Sequence, residues 1–502
     1  MSTEHVIYEE NKTCVKSDLQ QGHLDYQDLS TWTFQDKFFA FLLTIRFFEI
    51  CGANYPSPRK KEEVPVWFLL ISLMQMKLHA TSSFNRLPGI LRSGAVLSRI
   101  KFNIGGAQGG FNRKNKKERV SAVHPDTARK FFKDTDSFKQ REWHNKDVQK
   151  FIKANKGFDA EGIFLLDQTH VVVPENKNYR DAVRMPVDEH GQRIDTSGMS
   201  KEQKKGIRYR SCYALSELLH IEKKDNPAFI FAGYQWGAGN TDDLVQGRQV
   251  VRDFIEATGK GVMKLLIVDR GFISGEFITQ VKEEFGSDIL MPLRKNMDAF
   301  TDPVKMTKHY KFKWITYKQY DKYGVTYKEE VTVVGDVDIW DKCKVPLYVS
   351  IMKITGSDGS VRYWGLSSTF KPKNPKEAFE LYKLRSQIEE RHRQIKNHWN
   401  LNQFTSPHDA LIEAHVMFTL LTYTMISLYL SKKNLAELAR KTIDTWRQEE
   451  AMGTDSVIVY SGQYFAVFDL DEYTEIIAFL NDEARERLQK WITKFKRRDK
   501  GW

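Results

Sequence analysis

The sequence predicts an α/β protein: a mixed sheet flanked by helices, an all-β insertion, and α-helical regions before and after this core. Two observations support the prediction. From Gly162 onward, short apolar stretches alternate with amphipathic ones in the order three strands, helix, strand, helix, strand. Across about residues 296–368, polar and apolar residues then alternate with a period of two, which is typical of strands with one exposed face.

Helical spacing dominates the first hundred residues. The apolar runs FFAFLLTIRFFEI and PVWFLLISLMQMKLHA are separated by a connector rich in proline and charge. We therefore predict an N-terminal helical region over residues 1–100. A basic linker or DNA-binding region over residues 101–160 is predicted to follow it.

The predicted core begins at residue 161 and continues to residue 295. The stretch GIFLLDQTHVVV is its first strand, and two more apolar stretches continue as an antiparallel meander. The sequence NTDD carries cap residues and acids suited to a helix start. The predicted elements after the first strand are strands at 208–221 and 227–236, a helix from 240 to 258, a strand at 263–272, a helix near 274–285, and a strand at 287–294.

Three regions are predicted beyond residue 295. Residues 296–368 form the β-rich insertion, 369–430 complete the core, and 431–502 form a C-terminal helical region. The longest apolar run, Val416–Leu430, is short for a membrane span and predicts a buried helix. We expect no membrane association, no signal peptide, and a reducing intracellular setting for the four scattered cysteines.

The charge of the chain favours an anionic partner. The 77 Lys and Arg residues exceed the 65 Asp and Glu residues, giving a net charge of +12. Nucleic acid is the commonest partner of such a protein, although a basic bias can also serve solubility alone. The cluster RKNKKER is a candidate for phosphate contacts, and an exposed solvated loop is the alternative. Its basic residues are Arg113, Lys114, Lys116, Lys117 and Arg119.

Two acidic residues interrupt or end apolar strands. Asp167 lies within the first predicted strand, and Asp269 ends the strand LLIV. An ionised carboxylate in such surroundings is costly unless it is paired or binds a cation. Either residue alone could simply cap a turn. At the carboxyl end of a strand, however, it would point into the crevice where α/β folds bind ligands.

A third carboxylate lies in the helical stretch LYKLRSQIEERHRQIKNHW. Tyr382, Arg385, Glu389 and Lys396 recur at helical intervals and therefore share one face, with Arg393 close by. The carboxylate could bind a hard cation while the flanking donors bind phosphate oxygens. The alternative is a solvated helix in which Arg385–Glu389 and Glu389–Arg393 are salt bridges between successive turns.

Three carboxylates meeting in one cleft would suit two divalent ions ~3.5–4 Å apart. Such a pair activates a nucleophile and stabilises the leaving oxygen of a phosphoryl transfer. Because carboxylates are hard oxygen ligands, Mg²⁺ or Mn²⁺ is favoured over zinc.

The spacing Tyr382-x2-Arg385-x3-Glu389-x6-Lys396 resembles the Tyr-Arg-Glu-Lys signature of DDE transposases from bacterial insertion sequences, in the ribonuclease-H-like superfamily. The resemblance runs from about Gly162 to Leu430. It includes LLDQT at the first acid, LLIVDRGF at the second, and the β-rich insertion before the third.

This resemblance implies a ribonuclease-H-like core with Asp167, Asp269 and Glu389 as the catalytic, metal-binding residues. Tyr382, Arg385 and Lys396 would contact phosphates at the element ends. The implied reaction is metal-dependent cleavage at those ends, followed by attack of the freed 3′-OH on target DNA. The implied partners are double-stranded DNA, as terminal inverted repeats and target, and a second copy of the chain. The implied location is the bacterial cytoplasm, in association with the nucleoid.

The sequence departs from the family pattern in one place. Ser386 follows the signature arginine, where the common variant that forms DNA hairpins has tryptophan. Trp364 could stack a flipped base instead, or it could be ordinary packing. Hairpin formation is therefore left open. Two other functions also remain open: a nuclease of the same fold that cuts without joining, and an inactive DNA-binding protein.

Overall fold

The computed structural model describes residues 8–32, 34–61, 64–91, 123–187, 194, 196, 198–222, 228–340, 342–435, 443–450 and 454–498. The chain divides into two compact units. The core unit is Asp136–Ala439, and the terminal unit combines Met1–Thr135 with Arg440–Trp502. This division differs from the predicted boundaries, because the two ends of the chain belong to the same unit.

The first part of the terminal unit is mostly helical, as predicted. Its helix α4 is apolar around nearly its whole circumference and is buried along its length, which makes it the centre of this helical region. The elements are β1 (Glu9–Glu10), α1 (Lys12–Gln20), β2 (Tyr26–Trp32), α2 (Phe34–Thr44), α3 (Phe47–Ala53), α4 (Val66–Leu78), a 3₁₀ turn (Phe84–Arg86), α5 (Leu87–Ile90) and α6 (Pro125–Asp134).

The first part of the core unit confirms the predicted order of three strands, helix, strand, helix and strand. The short β4 and α9 are additions that the sequence did not indicate. The elements are α7 (Ser137–Trp143), a π turn (His144–Val148), α8 (Gln149–Ala154), β3 (Ile163–Val172), β4 (Val183–Pro186), α9 (Lys201–Lys205), β5 (Tyr209–Ile221), β6 (Phe229–Ala238), α10 (Asp243–Thr258), β7 (Leu265–Val268), α11 (Gly275–Glu283) and β8 (Asp288–Pro292).

These strands form a mixed sheet in the order β6-β5-β3-β7-β8. Strands β6, β5 and β3 are antiparallel neighbours, whereas β3, β7 and β8 run parallel. Helix α10 packs closely because Gly247 has no side chain: a Cβ there would lie 2.5 Å from the ring of Phe272 and 3.0 Å from Leu166. The predicted fold class, a ribonuclease-H-like core with flanking helices, is confirmed.

The insertion after β8 contains four antiparallel strands but is not purely β, so the expectation of an all-β insertion is corrected. It opens with a helix whose Phe300 and Val304, one turn apart, join the apolar core of the sheet. The helix contains Pro303 in its interior, where proline is normally unfavourable. The elements are α12 (Asp298–His309), β9 (Ile315–Lys322), β10 (Val325–Val337), β11 (Leu347–Gly356) and β12 (Val361–Ser368).

The insertion extends the core sheet instead of forming a separate layer. Strand β12 pairs antiparallel with β8, with Leu366 opposite Pro292. Strands β11, β10 and β9 follow outward, and within the described residues the sheet has ten strands. The last strand of the insertion therefore leads the chain back beside the core.

The core unit ends with the helices that carry the signature and with a long buried helix. Helix α15 is long and apolar enough to cross a membrane. However, 94% of its most apolar 18-residue stretch is buried inside the protein, and the helix packs on β6. This agrees with the predicted buried helix. The elements are α13 (Glu377–Tyr382), a 3₁₀ turn (Lys383–Arg385), α14 (Ser386–Asn397) and α15 (Asp409–Lys432).

The C-terminal part returns to the terminal unit and adds a sheet that the sequence analysis missed. The elements are α16 (Ile443–Glu450), β13 (Thr454–Ser461), β14 (Tyr464–Asp469), α17 (Leu470–Ala478) and α18 (Asp482–Arg498). Strand β13 pairs with β2, and β14 pairs with β1, giving the order β1-β14-β13-β2. The regions at both ends are helical as predicted, but they share this four-stranded sheet.

Candidate active site

Two neighbouring parallel strands bring the first two acids to the same level of the sheet. Strand β3 pairs with β7 so that Leu166 lies opposite Val268. Asp167 is the next residue after Leu166, and Asp269 is the next residue after Val268. The register of the sheet therefore places both carboxylates side by side, although they are remote in the chain.

Asp269 sits where strand β7 ends and a 3₁₀ turn begins. Its Oδ1 accepts a hydrogen bond of 2.6 Å from the main-chain N–H of Gly271. A Cβ at Gly271 would lie 2.6 Å from Oδ2 of Asp243 and 3.0 Å from Oδ1 of Asp269. A side chain at position 271 would have to displace one of these two carboxylates, so glycine lets the main chain approach Asp269 closely.

The signature does not lie on a single uninterrupted helix. Tyr382 ends α13, Arg385 lies in the tighter turn between the helices, and Glu389 and Lys396 lie in the first and last turns of α14. Helix α14 packs against β3. The predicted shared face is therefore interrupted at Lys383–Arg385, and the signature faces the strand that carries Asp167.

Arg385 brings the three acids together. Its Nη2 lies 3.3 Å from Oδ2 of Asp167 and 3.4 Å from Oδ2 of Asp269. Its Nη1 donates a hydrogen bond to Oε1 of Glu389. The two aspartate oxygens cannot be farther apart than the sum of those two distances. One guanidinium therefore takes the position of a cation among three carboxylates.

Burial and neighbouring charges shift the pKa values of this cluster in opposite directions. Burial raises the pKa of Asp167 to about 6, against lowering contributions from His392 and Arg385. Burial lowers the pKa of Arg385, but the carboxylates of Asp167, Glu389 and Asp269 raise it above its usual value. The guanidinium is held as a cation by the acids that it contacts.

Lys396 and Arg393 have separate partners. The Lys396 side chain is buried, with 7% of the residue exposed, and its Nζ donates a 2.6 Å hydrogen bond to Oγ1 of Thr169 on β3. Arg393 is exposed and forms two 2.7 Å hydrogen bonds with Glu390. Among the described ion pairs, Glu389 pairs with Arg385 and not with Arg393, so one of the two alternative salt bridges is present.

Trp364 and Tyr382 are in contact beside the acids. The Trp364 ring on β12 lies 5.9 Å from the Tyr382 ring and 5.2 Å from the Phe379 ring, measured between centroids. Burial raises the pKa of Tyr382 to about 12, so the phenol stays protonated at neutral pH. The insertion therefore packs directly on the first residue of the signature.

The basic cluster predicted to contact phosphates lies outside the described residues. It comprises Arg113, Lys114, Lys116, Lys117 and Arg119.

Sequence reasoning missed a fourth acid at this site. Glu217 on β5 lies directly opposite Asp167 on β3 and is fully buried. It forms an ion pair with Nε2 of His392, one turn after Glu389 on α14. The signal was present in the strand ALSELLHI, where one acid interrupts an apolar run just as Asp167 does.

The three acids offer carboxylate oxygens, the type of ligand atom that a hard divalent cation prefers. Within the described part of the chain, no group of three or more His, Cys, Asp and Glu side chains is already arranged to hold a metal ion. The carboxylates instead surround the guanidinium of Arg385. Carboxylate oxygens that already converge on one positive charge are the donors that Mg²⁺ and Mn²⁺ prefer.

A ribonuclease-H-like core with carboxylates on two parallel strands and on the helix packed over them defines a class of proteins that act on nucleic-acid phosphodiesters. The model of one family, the transposase DDE domain, matches residues 158–425, more than half of the chain. The chain therefore belongs to the DDE transposase family. DNA is the family's partner, and its members generally depend on divalent metal ions. No curated protein matches the sequence.

Proposed function

We propose that this protein is a cut-and-paste transposase of the Tyr-Arg-Glu-Lys group. It cleaves DNA at the ends of its mobile element and joins the freed 3′-OH ends to target DNA. The observation that carries the proposal is the contact of one guanidinium, Arg385, with Asp167, Asp269 and Glu389. Three acids remote in the chain are thereby within reach of the same cation.

Asp167, Asp269 and Glu389 would hold two Mg²⁺ or Mn²⁺ ions. When bound, such ions activate the attacking hydroxyl and stabilise the leaving oxygen of an in-line phosphoryl transfer. The donor set supports this assignment because carboxylates are hard ligands and because these three already share a cation.

Arg385 and Tyr382 would bind the phosphates at the cleavage point. A guanidinium contacts carboxylate and phosphate with the same planar fork of donors. Arg385 can therefore exchange a carboxylate for a DNA phosphate when DNA enters. Tyr382 remains a donor at neutral pH because burial raises its pKa to about 12.

Lys396 would reach a phosphate only after leaving the Thr169 hydroxyl. Arg393, which is exposed, would contact DNA farther from the cut. The cluster from Arg113 to Arg119 would add phosphate contacts that do not depend on base sequence.

Processing of the second strand stays open between hairpin and non-hairpin routes. Ser386 stands where a tryptophan serves hairpin formation in the common variant of the family. Trp364 could stack a base only by giving up part of its contact with Tyr382 and Phe379.

We further propose that the protein acts as a dimer on DNA, with residues 431–502 as the contact between copies. Each copy would cut the element end bound by the other. Because its substrate is chromosomal DNA, we place the protein in the bacterial cytoplasm, in association with the nucleoid.

The test uses purified full-length protein and DNA carrying the inverted repeats that flank the reading frame. With Mg²⁺ or Mn²⁺, we expect cleavage at the element ends and joined product. We expect a single substitution of any of the three acids to lower the yield of both cleaved and joined DNA by at least ~100-fold while DNA binding persists. The variants are Asp167→Asn, Asp269→Asn and Glu389→Gln. Cutting retained by one of these variants removes that residue from the catalytic set.

Other outcomes identify the alternatives. End cleavage without joined product indicates a nuclease of the same fold. Binding without cleavage in the unmodified protein indicates an inactive DNA-binding protein.

A further inference from the structure

Two buried ionisable side chains lie next to the acid site and have no role in the proposed mechanism. Glu217 is 0% exposed and His392 is 1% exposed. Glu217 occupies the middle of strand β5, and His392 lies on helix α14. Ionisable groups buried this completely are costly, so their retention at one place calls for a physical explanation.

The strand register makes Glu217 the direct neighbour of Asp167. The two residues are paired across the antiparallel strands β3 and β5. Side chains of directly opposed residues lie on the same face of a sheet, and like charges there destabilise it. Two carboxylates in this position therefore need a positive or hydrogen-bonding group between them.

The ring of His392 fills that position. Its Nε2 forms an ion pair with Oε2 of Glu217, and its Nδ1 lies 3.9 Å from Oδ2 of Asp167. Within the described residues, neither Glu217 oxygen has a hydrogen bond of regular geometry, so the ring is the contact that holds this carboxylate. The imidazole thus connects one acid of the candidate catalytic set to a fourth acid.

Asp167 is contacted on both of its oxygens. Oδ1 accepts a 3.0 Å hydrogen bond from the main-chain N–H of Gln168. Oδ2 faces Arg385 on one side and His392 on the other. The orientation of this carboxylate is therefore set jointly by the main chain, by the arginine and by the histidine that Glu217 holds.

We propose that Glu217 is a positioning residue: it holds the His392 ring against Asp167, and the ring directs Oδ2 of Asp167 toward the divalent cation. The inference rests on the proposed function, in which Asp167 binds that cation. Buried partners that orient metal-binding side chains in this way typically change metal affinity by ~10–100-fold when they are removed.

The test measures Mn²⁺ binding to the full chain without DNA, by electron paramagnetic resonance of free Mn²⁺. Glu217→Gln keeps the shape of the side chain and replaces its carboxyl group by an amide. We expect it to weaken Mn²⁺ binding by at least ~10-fold. His392→Gln should have a similar effect, and the double variant should bind no more weakly than His392→Gln alone, because Glu217 acts through His392.

Glu413→Gln is the matched control. Glu413 is also a buried glutamate, 2% exposed, and it pairs with Arg141 at 2.6 Å, but its partners are not the catalytic acids. We expect this variant to lower the melting temperature while Mn²⁺ binding stays within about twofold of the unmodified protein. A change in stability is thereby separated from a change in metal binding.

The outcomes distinguish the two proposals. If Asp167→Asn does not affect Mn²⁺ binding, the proposed function is wrong at that residue. If Asp167→Asn abolishes binding but Glu217→Gln behaves like Glu413→Gln, the positioning role is wrong and the proposed function stands. If Glu217→Gln fails to fold, the test uses the double variant Glu217→Gln/His392→Gln instead. This variant replaces both buried ionisable side chains together. Unchanged Mn²⁺ affinity in that double variant contradicts the positioning role.

Discussion

Arg385 supplies the positive charge that three carboxylates share. Its side chain is 18% exposed, and it contacts Asp167, Asp269 and Glu389 at once. Without this guanidinium and without metal, the three acids would lose the positive charge that they share. Arg385 therefore stabilises the metal-free protein as well as serving the proposed contact with DNA.

We predict that Arg385→Ala lowers the free energy of unfolding in EDTA by ~2 kcal/mol, less than for a fully buried pair because the side chain is partly exposed. Mn²⁺ should raise the melting temperature of this variant more than that of the unmodified protein, because the ion replaces the missing charge. Arg393→Ala is the control: its exposed pair with Glu390 should contribute less than ~1 kcal/mol. Equal losses in both variants would contradict the prediction.

The pKa of Asp167 predicts a pH-dependent stability. Burial raises this pKa from 3.8 to about 6, so the folded chain binds the proton more tightly than the unfolded chain. The resulting contribution favours folding below pH 3.8 and is lost as the pH rises through 6. A difference of one in pKa corresponds to about 1.36 kcal/mol. The contribution of Asp167 to the free energy of unfolding is therefore at most ~3 kcal/mol.

Asp167→Asn should remove this contribution. In urea unfolding with EDTA, the stability of the unmodified protein should fall relative to that of the variant between pH 4 and pH 6. Parallel pH curves for the two proteins would show that the carboxyl is not perturbed in the folded state.

Asp167 and Glu217 show how far residue patterns reach. Each acid interrupts an apolar strand, but of the two only Asp167 is a sequence candidate, because the family resemblance supports the pattern there. The importance of Glu217 comes from its pairing opposite Asp167 and from a histidine on a distant helix. Neither relation can be read from local sequence.

At the scale of elements, the docking of α14 on β3 joins the signature to the acid-bearing strand. The hydrogen bond from Lys396 to Thr169 lies at the last turn of that helix. In the DNA-free protein, Lys396 therefore ties the helix to the strand that carries Asp167.

Lys396→Ala should weaken binding to element-end DNA. It should also reduce the slope of the logarithm of the binding constant against the logarithm of the salt concentration by about one, the value for one phosphate contact. Thr169→Val is the control, because it removes the hydroxyl and keeps the charge of the lysine, so its slope should equal that of the unmodified protein. Fluorescence anisotropy over a series of salt concentrations measures both. An unchanged slope in Lys396→Ala would exclude Lys396 as a phosphate contact.

The insertion contributes a second contact between elements. Strand β12 carries Trp364 against Tyr382 at the end of α13. The pairing of β12 with β8 makes this contact part of the core sheet. The alternating pattern predicted the strands correctly, but the edge to which they attach was decided by packing.

At the scale of the whole molecule, each unit has its own apolar core. In the terminal unit, Val15 and Leu19 of α1 pack with Val459 and Phe468 of the C-terminal strands. The core unit has a separate cluster around Phe164 and Leu266. The two ends of the chain therefore bury apolar side chains against each other.

We predict that a chain ending at residue 439 loses the order of its N-terminal segment, because β2 and α1 lose β13 and β14 as partners. Hydrogen exchange of peptides spanning Lys12–Trp32 should become fast. Mn²⁺ binding, which we assign to the acids of the core unit, should stay within about twofold. Unchanged protection of those peptides would show that the N-terminal segment folds without the C-terminal strands.

The sequence by itself determined the order of the core strands and helices, because hydrophobic periodicity is local. It also offered Asp167, Asp269 and Glu389 as candidates, because acids within apolar strands and a signature with fixed spacing can be recognised in the linear sequence. Only the tertiary structure decided that Arg385 contacts all three acids, that Glu217 and His392 lie beside them, and that the chain ends share a sheet. Apart from the contact of Arg385 with Glu389, which lies within one helical turn, those relations join residues separated by tens to hundreds of positions. Strand register and packing bring these residues together.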